Sequence, residues 1–449
     1  MTTNSDKLRL VGVWSPPGSH SAGWRMPDSP EGDSYSFEHL KAVAQRLEAA
    51  KLDAMFFADS NLMQIAPQIE SGDIGGERFT RIVRMEALSM IAALSAVTER
   101  MGFIATATTT YNEPYSLARR FATIDYLSGG RAGWNLVTSQ HEGEAQNFNK
   151  TEHMAHDLRY ERAEEFFDVC AGLWDCWEEG ALVVDKENAR YSDMSKIHVL
   201  NHKGKQFSVK GPLNVPRSPQ GRPIVAQAGA SGPGRELAAR ISDIIFLATS
   251  DVDACKAFTD DVRERAVRMG RPANAFKAMP GFTPIVGRTE SEAKEHYERL
   301  NSLVTDEQGL SALRRVAGGL DLTQFPLDGP MPELPPTNGP QARQQIVKDW
   351  VKADPSMTLR DVGRRFAASD GHHQVYGTPE QIADIMEDFF RKGACDGFCV
   401  IFPYFMRGIT DFTDLVVPEL QRRGLFRTEY EGHTLRENLG LEEPKSIFA

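Results

Sequence analysis

The chain of 449 residues contains no run of about 18 apolar residues, so the sequence predicts no membrane span. Cysteine is scarce: five residues, an odd number with no C-x-x-C pair. That excludes a disulfide framework and reads as reduced, mostly buried thiols. Positive charge is also short, with 51 Lys and Arg against 62 Asp and Glu and a net charge of −11. Nucleic acid, whose phosphates demand a basic face, is therefore not an expected partner, and an acidic substrate would need a local basic pocket. The opening Met-Thr-Thr-Asn-Ser-Asp-Lys lacks the apolar stretch of a signal peptide, and a cytoplasmic address is expected. Internal repeats and low-complexity tracts are absent as well.

What is present is an alternation of short apolar runs with longer amphipathic ones, the pattern of βα units around a parallel sheet. Strands are predicted over residues 8–14, 53–59, 102–108, 133–139, 223–229, 243–249, 276–286 and 397–402. Helices are predicted over 37–51, 85–100, 115–127, 156–177, 234–241, 252–269, 291–304 and 409–423. Eight strands, each followed by a helical pattern, suit an α/β fold of the (β/α)8 TIM-barrel type better than an open doubly wound sheet. Three interruptions stand out at 60–84, 178–221 and 305–372. The second holds a hairpin-like stretch at 198–209, and the third a Pro-rich segment at 320–340 and a short helix near 358–367. Loops of this length in a compact barrel are usually functional lids or subunit contacts. Strands resume after residue 372, so the expectation is a single barrel domain over 1–449 with insertions.

The most informative stretch is Ser128-Gly129-Gly130-Arg131-Ala132-Gly133-Trp134-Asn135-Leu136-Val137-Thr138-Ser139. A helix stops at Gly-Gly, and an apolar strand then runs into a polar tip. Small amide and hydroxyl groups at the carboxyl end of a barrel strand are where such folds place ligand contacts; an ordinary turn and strand is the plain alternative. A second joint reads Gln227-Ala228-Gly229-Ala230-Ser231-Gly232-Pro233-Gly234-Arg235. Small residues there let backbone N–H groups approach an anion, and the following helix presents its positive end. The glycine spacing is not G-x-G-x-x-G, so this is no dinucleotide fingerprint, and a plain N-cap is the alternative. His156 and Tyr160, four residues apart on one predicted helix face, can both donate to an anion. Asp59 closes the second predicted strand, at the mouth of the barrel. His20, Trp24 and Arg25 follow the first strand and supply a proton-transfer group, a stacking plane and a fixed cation; a surface loop anchored by the Trp is the alternative. His153, His156 and Asp157 match no recognised metal-site spacing, so no metal is expected.

These stretches resemble the bacterial-luciferase-like, FMN-dependent monooxygenases, and within them the branch of nitrilotriacetate monooxygenase component A. The likeness extends to Ala105-Thr106-Ala107-Thr108-Thr109-Thr110-Tyr111-Asn112-Glu113-Pro114-Tyr115 and Gly211-Pro212-Leu213-Asn214-Val215-Pro216. It continues through Tyr376-Gly377-Thr378-Pro379 and Val417-Pro418-Glu419-Leu420-Gln421-Arg422-Arg423-Gly424. The resemblance implies FMN, used as FMNH2 from a separate NAD(P)H:flavin reductase, and O2-dependent oxygenation of a small organic substrate. An aminopolycarboxylate such as nitrilotriacetate comes first, with organosulfur compounds, amines and haloaromatics also within the family's range. It further implies that Gly229, Ala230 and Ser231 meet the FMN phosphate together with His156 and Tyr160. Asp59 would lie near the flavin, Thr106 would contact the isoalloxazine, and Asn135 and Ser139 would contact the ribityl chain and phosphate. His20, Trp24 and Arg25 match a His…Gly-Trp-Arg run and would act on the substrate.

Arg81 and Arg84 either add positive charge for a carboxylated substrate or are solvated surface groups. Desulfurising relatives carry a histidine in the segment that here reads Gly309-Leu310-Ser311-Ala312-Leu313-Arg314-Arg315-Val316, which argues against an aromatic sulfone. Two other readings share the barrel: a deazaflavin-dependent hydride transferase and a non-catalytic flavin-binding protein. A homodimer or homotetramer is expected from exposed barrel helices.

Overall fold

The structure is a computed structural model that describes residues 7–29, 34–63, 65–71, 80, 82–249, 251–337 and 340–448. Its centre is a ring of eight parallel strands: β1 (Arg9–Trp14), β2 (Ala54–Phe57), β3 (Gly102–Thr108), β4 (Ala132–Val137), β5 (Ile224–Gln227), β6 (Ile244–Leu247), β7 (Lys277–Val286) and β8 (Gly397–Ile401). From β1 to β7 each strand pairs with the next, and β8 pairs with both β7 and β1, which closes the barrel. The eight strands read from the alternation are the eight observed, with ends moved by a residue or two. Most of their residues are buried because helices cover the outside and side chains fill the inside.

Inside the barrel, Val11, Val13, Ala54, Ile104, Ile224 and Met279 pack with Leu435 and Leu439. Those two leucines belong to a short helix, Leu435–Leu439, that plugs the amino-terminal end of the barrel. Arg436 locks the plug with a two-pronged ion pair to Asp243, at 2.9 and 3.0 Å. Nearby, buried Asp53 accepts from the Leu10 N–H at 2.7 Å and from Arg427 at 2.6 Å. This end of the fold is built for stability, and the carboxyl end is left open.

The region between β7 and β8 departs from the sequence reading. A ninth strand, His373–Gly377, pairs with the upper half of β7, and the unpredicted helix Pro379–Arg391 covers the barrel before β8. Its Ile382, Ala383, Met386 and Phe389 are buried in the main core. The signal was local: Thr378 and Gln381 form a capping box, and Pro379 occupies the first turn. The insertion therefore includes helices Glu290–Ser302, Asp306–Arg314, Gln341–Ala353 and Leu359–Ser369. The last three pack around a core of their own that includes Leu313, Val347, Trp350, Val362 and Phe366. Within 178–221 the structure has two small hairpins, Leu182–Asp185 with Arg190–Ser192 and His202–Lys203 with Ser208–Val209. Of the 60–84 link, residues 64, 72–79 and 81 lie outside the described residues, Arg81 among them. Among the described residues no helix is long and apolar enough to cross a membrane.

Candidate active site

The carboxyl ends of the strands open into a cavity of about 460 Å³, a size suited to a small-molecule site. Val13, Phe56, Thr106, Asn135, Phe246 and Ile401 bring six strands to its wall. Thr106 and Asn135 stand opposite each other across β3 and β4, and the Asn135 amide donates to the Thr106 hydroxyl at 2.9 Å. That bond fixes the amide orientation. It leaves the buried Asn135 Oδ1 as an acceptor without a donor.

Ser139 follows β4 in a left-handed conformation (φ 58°), which turns the chain over the cavity. Its hydroxyl lies 2.9 Å from both Glu144 Oε2 and Thr108 Oγ1. A carboxylate only accepts, so the Ser139 proton goes to Glu144. Glu144 is buried and also faces the backbone N–H groups of Asn61, Gln140 and His141 at 3.4 Å. Asp59, two residues beyond β2, accepts from Ser60 and Ala87 N–H groups at 2.7 and 3.1 Å. Burial nevertheless raises its carboxyl above the ordinary value, because the two amides only partly replace lost water.

Tyr111, His153 and Arg159 form a chain at the cavity edge that the sequence reading did not assemble. Arg159 donates to His153 Nε2, and His153 Nδ1 lies 2.6 Å from the Tyr111 hydroxyl. A guanidinium can only donate, so Nε2 must be the unprotonated nitrogen and Nδ1–H donates to Tyr111. Burial, and then Arg159, push His153 below its usual range and keep it neutral. Tyr111, stacked on Phe148 at 4.7 Å, thus keeps its own proton for another acceptor.

The second joint adjoins this wall through Ala228, which lines the cavity. Ser231 is the N-cap of helix Gly232–Ile241 and accepts from Gly234 N–H at 3.2 Å. The Ala230 carbonyl accepts from Arg235 at 3.1 Å. A Cβ on Gly229 would meet the Tyr160 hydroxyl at 3.0 Å, so Tyr160 and the glycine turn converge. The His156 and Tyr160 rings lie 5.0 Å apart on the first turn of helix His156–Asp175, with His156 Nδ1 2.9 Å from Asp157. Asp59, Thr106, Asn135 and Ser139 line the cavity itself, while His156, Tyr160, Gly229, Ala230 and Ser231 gather beside it.

His20, Trp24 and Arg25 do not reach the cavity wall. His20 is buried, accepts from the Ala22 N–H at 3.1 Å and faces Asn301 at 3.4 Å. Trp24 is 48% exposed, and Arg25 donates to the Leu303 carbonyl at 2.6 Å. The loop is thus spent on holding the insertion, a role seen also in the Gln308 bond to Ser21. Arg84 does line the cavity, joined from the insertion by Arg315, Arg343, Asp370 and His372. Sequence reasoning did not assign those four because no local pattern marks them, and only the fold brings them to the cavity. Glu144 had no sequence signal, whereas Tyr111 sat unassigned inside the Thr-Tyr-Asn run. Among the described residues no group of three or more His, Cys, Asp or Glu side chains could hold a metal ion.

Comparison with known proteins agrees with this architecture. The luciferase-like monooxygenase family matches residues 16–396. The chain is 43% identical to N-acetyl-S-(2-succino)cysteine monooxygenase of Bacillus subtilis (strain 168), over 100% of both chains. It is 44% identical to nitrilotriacetate monooxygenase component A of Aminobacter aminovorans, over 96% of each. The crystal structure of a riboflavin lyase with modified FMN and riboflavin superposes with a TM-score of 0.84 at 31% identity, covering 97% of this chain and 96% of that one. The chain belongs to the luciferase-like monooxygenase family and is an enzyme of the monooxygenase class.

Proposed function

We propose that this protein is a two-component, reduced-FMN-dependent monooxygenase acting on a small organic substrate. The observation that carries the reading is the cavity at the barrel's carboxyl end, where buried Asn135 Oδ1 awaits a hydrogen-bond donor. The residues fit FMN. An isoalloxazine or ribityl group offers N–H and O–H donors to Asn135, and the close-packed turn at Gly229 leaves small residues and Tyr160 beside an anion's position. Asp59, Thr106, Asn135 and Ser139 would hold the flavin and ribityl chain, and His156, Tyr160, Gly229, Ala230 and Ser231 the phosphate. Bound in its reduced form, the cofactor supplies electrons and, with O2, the oxygen atom given to the substrate.

The chain's own task is to orient and to exclude water. Asn135, pinned by Thr106, orients one edge of the cofactor. Glu144 holds Ser139 in its left-handed turn. The insertion roofs the cavity, and the Tyr111 hydroxyl, with its proton uncommitted to His153, donates at the cavity edge. An aminopolycarboxylate is the first substrate class, supported by the carboxylates of the compounds named for the two relatives. The designation of one relative as a component A supports a separate NAD(P)H:flavin reductase as partner. Five free, buried cysteines support a cytoplasmic setting, and a homodimer or homotetramer completes the reading.

The test is oxygen uptake with FMNH2 from an added flavin reductase, across a panel including magnesium nitrilotriacetate, with organic product separated from hydrogen peroxide. Substrate-dependent product is expected. Failure to bind FMN, or hydride transfer with deazaflavin and no oxygen uptake, would overturn the reading.

A further inference from the structure

Arg315 ends the helix Asp306–Arg314 and leans from the insertion into the cavity. Its Nη2 pairs with Asp370, and its guanidinium lies over the Phe366 ring at 5.7 Å, so the side chain is held on two sides. Its Nε is nevertheless buried and makes no hydrogen bond. Two carboxylates that line the same cavity are already committed. Asp59 takes the N–H groups of Ser60 and Ala87, and Glu144 takes the Ser139 hydroxyl and faces three backbone N–H groups. The Arg315 Nε–H is thus a buried donor with no acceptor in the protein, on a side chain that lines the cavity.

The surroundings favour an anionic acceptor. Arg343 lines the same roof, donating to the Asp370 carbonyl and, at 2.8 Å, to His372 Nε2. Two guanidinium groups therefore line the cavity, and only that of Arg315 is paired with the Asp370 carboxylate, in a chain whose net charge of −11 would otherwise repel an anion. The planar fork of arginine matches a carboxylate in shape as well as charge. His141 faces Arg315, and burial together with that cation keeps the imidazole below its ordinary range, opposed by Glu144.

We propose that Arg315 is the carboxylate anchor of the substrate, so that this monooxygenase selects carboxylate-bearing compounds through its insertion and not through the barrel strands. The inference rests on the monooxygenase reading above and adds the residue that would hold the substrate's carboxylate.

The experiment is calorimetric titration of the full chain with bound FMN. The ligands are nitrilotriacetate, iminodiacetate and N-acetyl-S-(2-succino)cysteine, each compared with its neutral methyl ester. The wild type is expected to bind at least one acid about tenfold or more tightly than its ester. Arg315→Met should weaken that acid by about 10- to 100-fold, the loss of one charge-assisted hydrogen bond, and leave the ester nearly unmoved. Arg315→Lys, which keeps the charge and the partner for Asp370, should recover part of the difference and guards against a folding defect. Equal binding of acids and esters, binding of no acid, or wild-type acid affinity in Arg315→Met would each overturn the proposal. So would a loss in Arg315→Met of FMN affinity but not riboflavin affinity, which would assign the donor to the cofactor phosphate. A wild-type chain that selects acids yet binds no FMN would instead sink the flavin reading and leave Arg315 standing.

Discussion

A Cβ at Gly229 would stand 2.5 Å from the Gln227 amide nitrogen and 3.0 Å from both Gly234 Cα and the Tyr160 hydroxyl. Gly229→Ala is therefore expected to spread the turn and weaken FMN binding tenfold or more, on the order of 1.4 kcal/mol. Tyr160→Phe removes one donor without adding bulk and should weaken FMN by about tenfold. Titration of FMN fluorescence measures both, and an unchanged Kd in both would remove this joint from the cofactor site. Two histidines make a pH prediction. Burial, opposed by Glu144, lowers His141, and burial with Arg159 lowers His153. For a histidine with a depressed folded value, the unfolded chain takes up its proton first as pH falls. Stability from these groups is thus full above about pH 6.5, the unfolded value, and is lost as pH drops below it. The wild-type Tm should fall more between pH 7 and pH 5 than that of His153→Gln; parallel slopes would refute the assignment. At this scale the sequence was legible where a motif marked the residue. Asn135 stands on the cavity wall and Tyr160 beside Gly229, where their motifs put them, whereas no motif marked Glu144 or Arg315, because their partners are set by folding alone.

Elements were legible wherever caps and periodicity agreed. Helix Pro114–Leu127 begins at a proline and ends before Gly129 and Gly130, both at positive φ, as the Gly-Gly stop implied. The helix expected over 409–423 starts at Arg407 and widens to a π turn over Phe412–Val416. Pro418 gives the reason: it has no N–H, and its ring would strike the carbonyl four residues back in a regular helix. Helix Pro379–Arg391 escaped although its capping box was in plain view, because the Tyr-Gly-Thr-Pro run read as a family motif and not as a helix start. Thr378→Ala removes that cap and should cost about 1 kcal/mol in chemical denaturation. A change near zero would mean that burial of Met386 and Phe389 holds the helix without its cap.

Across the whole molecule the two ends of the barrel have separate duties. Leu439 is fully buried in the plug, so Leu439→Ala should destabilise the chain by about 2–5 kcal/mol, read by denaturation. The folded fraction should keep its affinity for FMN, because the cavity lies at the opposite end. A loss of FMN affinity with no loss of stability would contradict that division. The sequence by itself determined the barrel, since strand order and closure follow from eight apolar runs spaced by amphipathic helices, and period and burial are local properties of the chain. It also determined the ring of strand-end residues, because the carboxyl end of a parallel strand always faces the same mouth. Only the tertiary structure decided which loops lie over that mouth. It drew His20 and Arg25 into holding the insertion and brought Arg315, Arg343 and His372 to the cavity that Asn135 also lines. No local pattern encodes such contacts, because they depend on how a separately packed cluster of helices docks on the barrel rim.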